Sequence, residues 1–479
     1  MNNQINITQS FKWVFSTTIL RRIVSFLLFL YLVRVFSRSD LGIYRTFVLI
    51  LSFSTMITTF SFNILNVVEK SQKYLKHSLQ FIFISSIIIS ILLFFLKGVL
   101  ANKYSSPDLF LYLLYGFWLV VPLSLKKIIK SLYELEMKFR FLSIVETINL
   151  FVYVILTLLL FLIDLKFYYF IIAFYIGEIV EIILMYFPVR KILSNALYDV
   201  LKFKYIKPLI ICLKDNFAFL SLTTAPSTLN MFIAEAPILL MGLFFLPEFI
   251  GNYFIAAQLV TVPISFLTVS LCQVLFPAFS LIDKEKLPHK IDEYIKYVVY
   301  VMWLPILIFG ILLKYFGYLI TGEQDIHLIV SMIIVLIIKT LFHLILNPLS
   351  TVPTVLRKPQ YELYWSIGSI SAVCGIIYFL RAESFLNMFY GYALINILSL
   401  LIFILMILKM VSLSLKSFFH TLWKGFIYIF PLIVVLFLPE SVKMGYGMAF
   451  FSIGMVYSMG MFYIFEKKFL GSFWKRIKV

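Results

Sequence analysis

Apolar windows of about twenty residues, each enough to cross a hydrocarbon core of about 30 Å, follow one another along nearly the whole chain. They fall near 12–35, 41–63, 78–97, 109–126, 141–163 and 167–187, then near 216–246, 250–280, 294–317, 326–348, 361–381 and 385–408, and last near 418–438 and 444–466. Only helices and closed barrels satisfy their own backbone in lipid, and windows this long are helical. The expected fold class is therefore an all-α polytopic membrane protein with about 14 transmembrane helices. A soluble fold is excluded by 62% hydrophobic and 13% charged residues with a mean hydropathy of +1.00. The first window contains Arg21 and Arg22 and lacks a small-residue cleavage site, so it is expected to remain as a span and not to be removed as a signal peptide.

Lysine and arginine indicate which links face the cytoplasm. With the N-terminus inside, the inner links hold 27 of them and the outer links 7. The inner ones lie at 70–76, 126–140, 190–214, 284–296, 357–358, 409–416 and 467–478, and the outer ones are Arg38, Lys97, Lys103, Lys166, Lys314, Arg381 and Lys443. Both termini are expected to be cytoplasmic. The formal net charge of +18 raises the question of nucleic acid, but charges scattered over short links form no basic domain to hold a duplex. No nucleic-acid partner is expected.

Two short stretches repeat. Phe36 to Tyr44 reads FSRSDLGIY and Phe245 to Tyr253 reads FLPEFIGNY, so Phe36 and Phe245, Gly42 and Gly251, and Tyr44 and Tyr253 each lie 209 residues apart. Each stretch joins two apolar runs, which predicts a tight helical hairpin with Asp40 or Glu248 near the positive end of the following helix and glycine at the close turn. The pattern implies two related halves: a six-helix lobe over 1–187, a basic linker over 188–214, a second six-helix lobe over 215–409, a terminal helix pair over 410–466 and a basic tail over 467–479. An even number of spans per half gives a parallel repeat about an axis along the membrane normal, with the substrate path between the lobes. The linker carries Arg190, Lys191, Lys202, Lys204 and Lys207 and reads as an amphipathic segment on the anionic inner leaflet, or as a plain tether.

A charged side chain at bilayer depth costs about 2.5–3.5 kcal/mol on insertion scales, so several on separate helices must face a wet cavity or one another. Arg21 and Arg22 lie in the first window, with Thr18 and Ser25 on the same side. Glu178 and Glu181, three apart, share a face of the sixth. Glu235 lies in the seventh, in a stretch made polar by Ser221, Thr223, Thr224, Ser227, Thr228 and Asn230 and broken by Pro226 and Pro237. Lys339, His343 and Asn347 recur every four residues in the tenth, a single polar stripe ending at Pro348. Arg34, Arg45, Glu146 and Lys424 lie close enough to helix ends to snorkel. The cations, Arg21, Arg22, Arg45 and Lys339 with His343 and Asn347, suit an anionic substrate. The acids, Glu178, Glu181 and Glu235, suit a coupling cation, proton or sodium. The other reading of the same groups is structural pairing, for example Lys339 with Glu178 or Glu181.

No outer link exceeds about a dozen residues, and no Asp-x-Asp occurs, which argues against a catalytic domain on that face. Cys212, Cys272 and Cys374 are widely spaced in or beside apolar segments and read as small hydrophobes. No catalytic group, metal site or cofactor is expected.

In the order Ser39-Asp40-Leu41-Gly42-Ile43-Tyr44 after the first helix, Ile250-Gly251-Asn252-Tyr253 with Ala256-Ala257-Gln258-Leu259 after the seventh, and Gln273-Val274-Leu275-Phe276-Pro277 closing the eighth, the chain resembles the multidrug/oligosaccharidyl-lipid/polysaccharide (MOP) exporter superfamily. Within it the resemblance is to the Wzx-type polysaccharide and O-antigen flippases, and it covers nearly the whole chain. What it implies is two lobes in a V and alternating access. The implied function is transfer of an undecaprenyl-diphosphate-linked oligosaccharide from the cytoplasmic to the periplasmic leaflet of the bacterial inner membrane, for lipopolysaccharide or capsule synthesis. It also implies a polysaccharide polymerase as partner, and it matches Arg21 or Arg22 with the first-helix arginine that lipid II flippases place in the cavity. A cation-coupled drug antiporter of the same superfamily is the nearest alternative, disfavoured by the terminal helix pair and the mid-membrane arginines. A membrane polymerase or acyltransferase built around His343 is a third, and it lacks a second catalytic group.

Overall fold

The computed structural model describes residues 7–68, 75–136, 138–163, 167–201, 206–281, 285–322, 325–356, 358, 360–438 and 446–461. Among these residues every regular element is helical, and eleven helices are long and apolar enough to cross a membrane. The three expected spans outside that number are the first, the eighth and the last. Helices Ile7–Val35, Pro247–Leu281 and 446–461 occupy their positions. Large apolar side chains such as Phe95, Leu162 and Phe379 stand more than 70% exposed, as lipid contact requires and water would penalise.

The chain divides into two compact units, Met1–Gly251 and Asn252–Val479. The first holds α1 (Ile7–Val35), α2 (Arg38–Thr59), α3 (Phe62–Val68), α4 (Leu75–Lys103), α5 (Pro107–Gly116), α6 (Val120–Leu135), α7 (Phe139–Ile163), α8 (Phe167–Leu201), α9 (Ile206–Leu239) and the first turn of α10 (Pro247–Leu281). The division falls later than the expected lobe boundary at 188–214. That linker is largely helical, with α8 running on to Leu201 and α9 starting at Ile206, and α9 packs on α2 and α4. The core of this unit joins α3, α4, α6 and α8 through Phe62, Leu79, Ile82, Ile128, Tyr133 and Met185, and the Tyr133 hydroxyl donates to the Met185 carbonyl at 2.7 Å. In lipid, such polar bonds and close packing take the place of the hydrophobic drive between helices. At the far end of α4 the buried Tyr104 hydroxyl donates to the Leu239 carbonyl at 2.8 Å, and burial pushes its pKa up to about 12.

The second unit holds the rest of α10, then α11 (Leu287–Tyr297), α12 (Trp303–Phe316), α13 (Tyr318–Thr321), α14 (Ile326–Leu349), α15 (Val352–Val355), α16 (Gln360–Phe379), α17 (Phe385–Met410) and α18 (Leu415–Phe437). Its centre is Trp303, fully buried against Phe342 and Phe426, with its indole N–H donating to the Leu341 carbonyl at 3.0 Å. Trp365 stacks on Phe403 at 4.3 Å and fixes α16 to α17. Lys314, expected in an outer link, is buried at the end of α12. Its ammonium donates to the carbonyls of Val435, Leu436 and Leu438 at the C-terminal end of α18, where backbone carbonyls run short of helical partners.

The two repeated stretches occupy matching places. Ser37 caps α2 by accepting from the Asp40 N–H at 3.1 Å, and Asp40 and Glu248 sit in the first turns of α2 and α10. The ring of Tyr44 meets Phe170 in α8 at 4.8 Å, and that of Tyr253 meets Phe389 in α17 at 5.7 Å, each within its own unit. The glycines do different work from that expected. Gly42 and Gly251 lie inside the first turns of α2 and α10, not at the turns between helices. A Cβ on Gly42 would stand 2.8 Å from the Gly251 nitrogen, and one on Gly251 would stand 2.6 Å from the Arg38 carbonyl carbon. They are glycine because two helix backbones touch there.

Candidate functional site

In the first unit the membrane charges form two rungs on four helices. Lys126 and Lys130 are four apart on α6, Glu146 and Asn149 three apart on α7, and Glu178 and Glu181 three apart on α8, so each helix presents two polar groups one turn apart. In the first rung Glu146 is bonded by both Arg21 of α1 and Lys130. The Arg21 guanidinium also donates to the Thr18 hydroxyl at 3.2 Å. In the second rung Lys126 bonds Glu178, and Glu181 at 3.2 Å, while the Asn149 amide donates to Glu181. The first rung carries two cations on one carboxylate, and the second two carboxylates on one cation. Counting only the bonded groups, the charges cancel between the rungs and each rung is out of balance by one; Glu134 stands near the first and Lys127 near the second.

A third pair joins α2 to α9: Arg45 bonds Glu235, and the two side chains are 21% and 22% exposed. Beside the second rung Lys127 donates to the Thr55 hydroxyl of α2 at 3.3 Å. Among the described residues no group of three or more His, Cys, Asp or Glu is placed to hold a metal ion.

Of the expected substrate cations, Arg21 and Arg45 are therefore each bonded to a carboxylate, and Arg22 is half-buried on α1. Of the expected coupling acids, Glu178 and Glu181 take Lys126, not Lys339. Lys339, in the second unit, donates to the buried Tyr392 hydroxyl at 3.2 Å and stands over its ring, with His343 exposed and Asn347 half-buried on the same side of α14. The seventh window is not broken by its prolines: α9 runs through Pro226 and Pro237. Its hydroxyls are mostly spent on its own backbone, since Ser221, Thr223, Ser227 and Thr228 each bond the carbonyl of the preceding turn. Thr224 instead reaches across, to the Ser61 hydroxyl at 2.8 Å. Cys212 is buried and Cys374 exposed, both free, while the side chains of Cys272 and of residues 273–277 lie outside the described residues.

Lys126, Lys130 and Asn149 were missed by sequence reasoning, and Glu146 was given the minor role of a helix-end group. A twenty-residue window closes at Lys126, so its lysines read as a link. The signal that would have found them is the four-residue spacing of Lys126 and Lys130 inside an otherwise apolar helical pattern.

These features define a multi-pass helical membrane protein with a charged interior. Residues 31–321 match the family model described as polysaccharide biosynthesis protein. The chain belongs to that family. Its structure is similar to that of the lipid II flippase MurJ in an inward closed conformation, with a TM-score of 0.67 at 15% identity over 95% of this chain and 99% of that one. It is also similar to a MOP superfamily transporter from Pyrococcus furiosus, with a TM-score of 0.52 at 15% identity over 84% of this chain and 94% of that one. The fold is thus that of the MOP superfamily. Among curated protein sequences nothing matches.

Proposed function

We propose that the chain is a flippase that carries an undecaprenyl-diphosphate-linked oligosaccharide from the cytoplasmic to the periplasmic leaflet of a bacterial inner membrane. The glycan would be destined for O-antigen or capsule, with a polysaccharide polymerase as downstream partner. The two halves alternate in access, and no covalent chemistry is involved. The observation that carries this reading is the first rung, in which Arg21 and Lys130, both partly exposed, meet on a single carboxylate. A diphosphate crossing a medium of low dielectric needs fixed cations in place of its lost hydration, and arginine presents a planar fork that bonds phosphate oxygens in pairs. The family description, polysaccharide biosynthesis, supports the class of cargo. Arg22 and Arg45 extend the same cation set in the first unit, and Lys339, His343 and Asn347 are assigned to substrate in the second. Glu178, Glu181 and Glu235 are assigned to a coupling proton or sodium ion.

In a strain lacking the native gene, Arg21→Ala is expected to reduce surface glycan at least about tenfold while the protein still accumulates in the membrane, since a charged hydrogen bond contributes about 1.5–3 kcal/mol. Arg21→Lys should restore part of the output, keeping the charge and losing the fork. Normal glycan from a double Arg21→Ala, Arg22→Ala chain would remove the anion site from the mechanism.

The orientation is tested apart from activity. With native cysteines removed, Ser105→Cys is expected to react with an impermeant maleimide from outside, and Lys286→Cys only after permeabilisation. Labelling of Lys286→Cys in intact cells would invert the proposed topology.

A further inference from the structure

The carboxylates of the first unit differ in how many cations hold them. Glu146 is bonded by both Arg21 and Lys130, so drawing one away leaves the other. Glu178 and Glu181 keep Lys126, a group on a neighbouring helix with no arginine fork to offer an anion. Glu235 is bonded to Arg45. The ring of Phe53 on α2 meets that of Phe232 on α9 at 6.1 Å, and at the other end of the contact the Thr224 hydroxyl bonds Ser61 beyond the end of α2, so the two helices are joined along their length. Exchange of the pair's partners then needs only side-chain movement, with the two helices staying in contact.

The other charges of the surrounding helices are engaged or distant: on α6, packed against α2, Lys127 donates to Thr55, and Lys126 holds Glu178, which with Arg45 flanks Tyr44. On α2, Arg38 donates to the Val33 carbonyl and Asp40 is bonded to Ser37. On α4, the other helix packed against α9, Lys97 lies on the Phe94 ring, and Lys76, His77 and Lys103 sit in its first and last turns. On α9 itself Lys214 and Asp215 are at the opposite end from Glu235.

We propose that Arg45 and Glu235 form an exchange site: a diphosphate takes the Arg45 guanidinium from Glu235, and Glu235 takes up a proton from water as it is released. The proposal rests on the anionic-substrate reading above and names what couples to it. A carboxylate a fifth exposed at membrane depth is tolerable beside a guanidinium and costly alone, so losing Arg45 to an anion and gaining a proton are one event. The diphosphate brings its charge to a cation, the carboxylate gives up its own, and the local charge changes by less than the ligand's full charge. The ion coupled at this pair is then a proton, since it is protonation that lets the released carboxylate stay without its guanidinium.

The test uses the purified full-length chain in detergent, with farnesyl diphosphate as a soluble probe, titrated calorimetrically at neutral pH in two buffers of different ionisation enthalpy. Per diphosphate bound, the wild type is expected to take up about one proton more than Glu235→Gln. Glu235→Gln should bind the probe at least as tightly and lose that uptake, since glutamine releases the arginine more readily and cannot be protonated. Arg45→Gln should bind about tenfold or more weakly. The probe loses protons of its own beside arginine, equally in the wild type and in Glu235→Gln, so the difference between the two isolates the carboxylate. An equal net proton change in both overturns the exchange and leaves the substrate reading standing. A wild type that binds no diphosphate overturns both.

Discussion

Gly42→Ala and Gly251→Ala are each expected to prevent accumulation of well-folded protein, whereas alanine at Gly98 or Gly368 should leave it unchanged. At Gly42 and Gly251 the added methyl would enter space held by backbone: the Pro247 carbonyl and the Gly251 nitrogen at 2.8 Å in one case, the Arg38 carbonyl group in the other. A side chain can rotate away from a new methyl, but a helix backbone can only be displaced, and here both backbones are in their first turns, where Ser37 caps one of them. Overpacking ordinarily costs about 1–3 kcal/mol, with relaxation of neighbouring side chains included. Without that relaxation the cost lies at the top of the range or above it. At Gly98 and Gly368 a Cβ meets nothing within 4 Å, so the same change serves as a control for helix propensity alone. The readout is the monodisperse fraction on size exclusion and the thermal midpoint of that fraction. Wild-type values for both contact variants would show that the two helices do not meet backbone to backbone.

The same pair of glycines shows what a sequence discloses and what it withholds. Their spacing of 209 residues and their setting between apolar runs pointed to a repeat, and the tyrosines two residues beyond them do take matching partners, Phe170 and Phe389, in the two units. Hydrophobic length was readable because a bilayer sets it, and eleven of the expected windows return as helices that could span one. Why glycine stands at 42 and 251 was not readable, because a close approach between helices far apart in sequence depends on their packing and leaves no local mark. The same limit governs the charges. That Arg21, Glu178, Glu181 and Glu235 needed partners followed from the cost of charge in lipid. Which partners they take depends on how each helix is rotated, so Lys126 went to a link in the reading of the sequence and to two buried carboxylates in the structure. The polarity of α9 left its role open, since a hydroxyl that bonds its own helix can face either a cavity or a neighbour.

Lys126→Met should be the most damaging of the charge substitutions, and more damaging than removal of either acid it holds. The Glu178 and Glu181 side chains are 11% and 6% exposed and lie one turn apart on α8, so without the ammonium two like charges share a dry site, with the Asn149 amide as the remaining donor to one of them. Removing one partner of a buried pair costs about 3–5 kcal/mol, and protonation of a carboxylate recovers part of that at low pH. Glu181→Gln acts in the other direction. It leaves Lys126 with one carboxylate, a balanced pair, and keeps the shape that Asn149 touches, so its effect on stability should be within about 1 kcal/mol. The sign of the imbalance therefore predicts an order: Lys126→Met well below the wild type in thermal midpoint, Glu181→Gln close to it, and the double variant Lys126→Met, Glu181→Gln above Lys126→Met alone, because it has one bare carboxylate where the single variant has two. Lys126→Arg should fold, since it keeps the charge on the same helix face. A Lys126→Met chain as stable as the wild type, or a double variant less stable than that single one, would show that the three groups are not held together in the dry interior of the first unit.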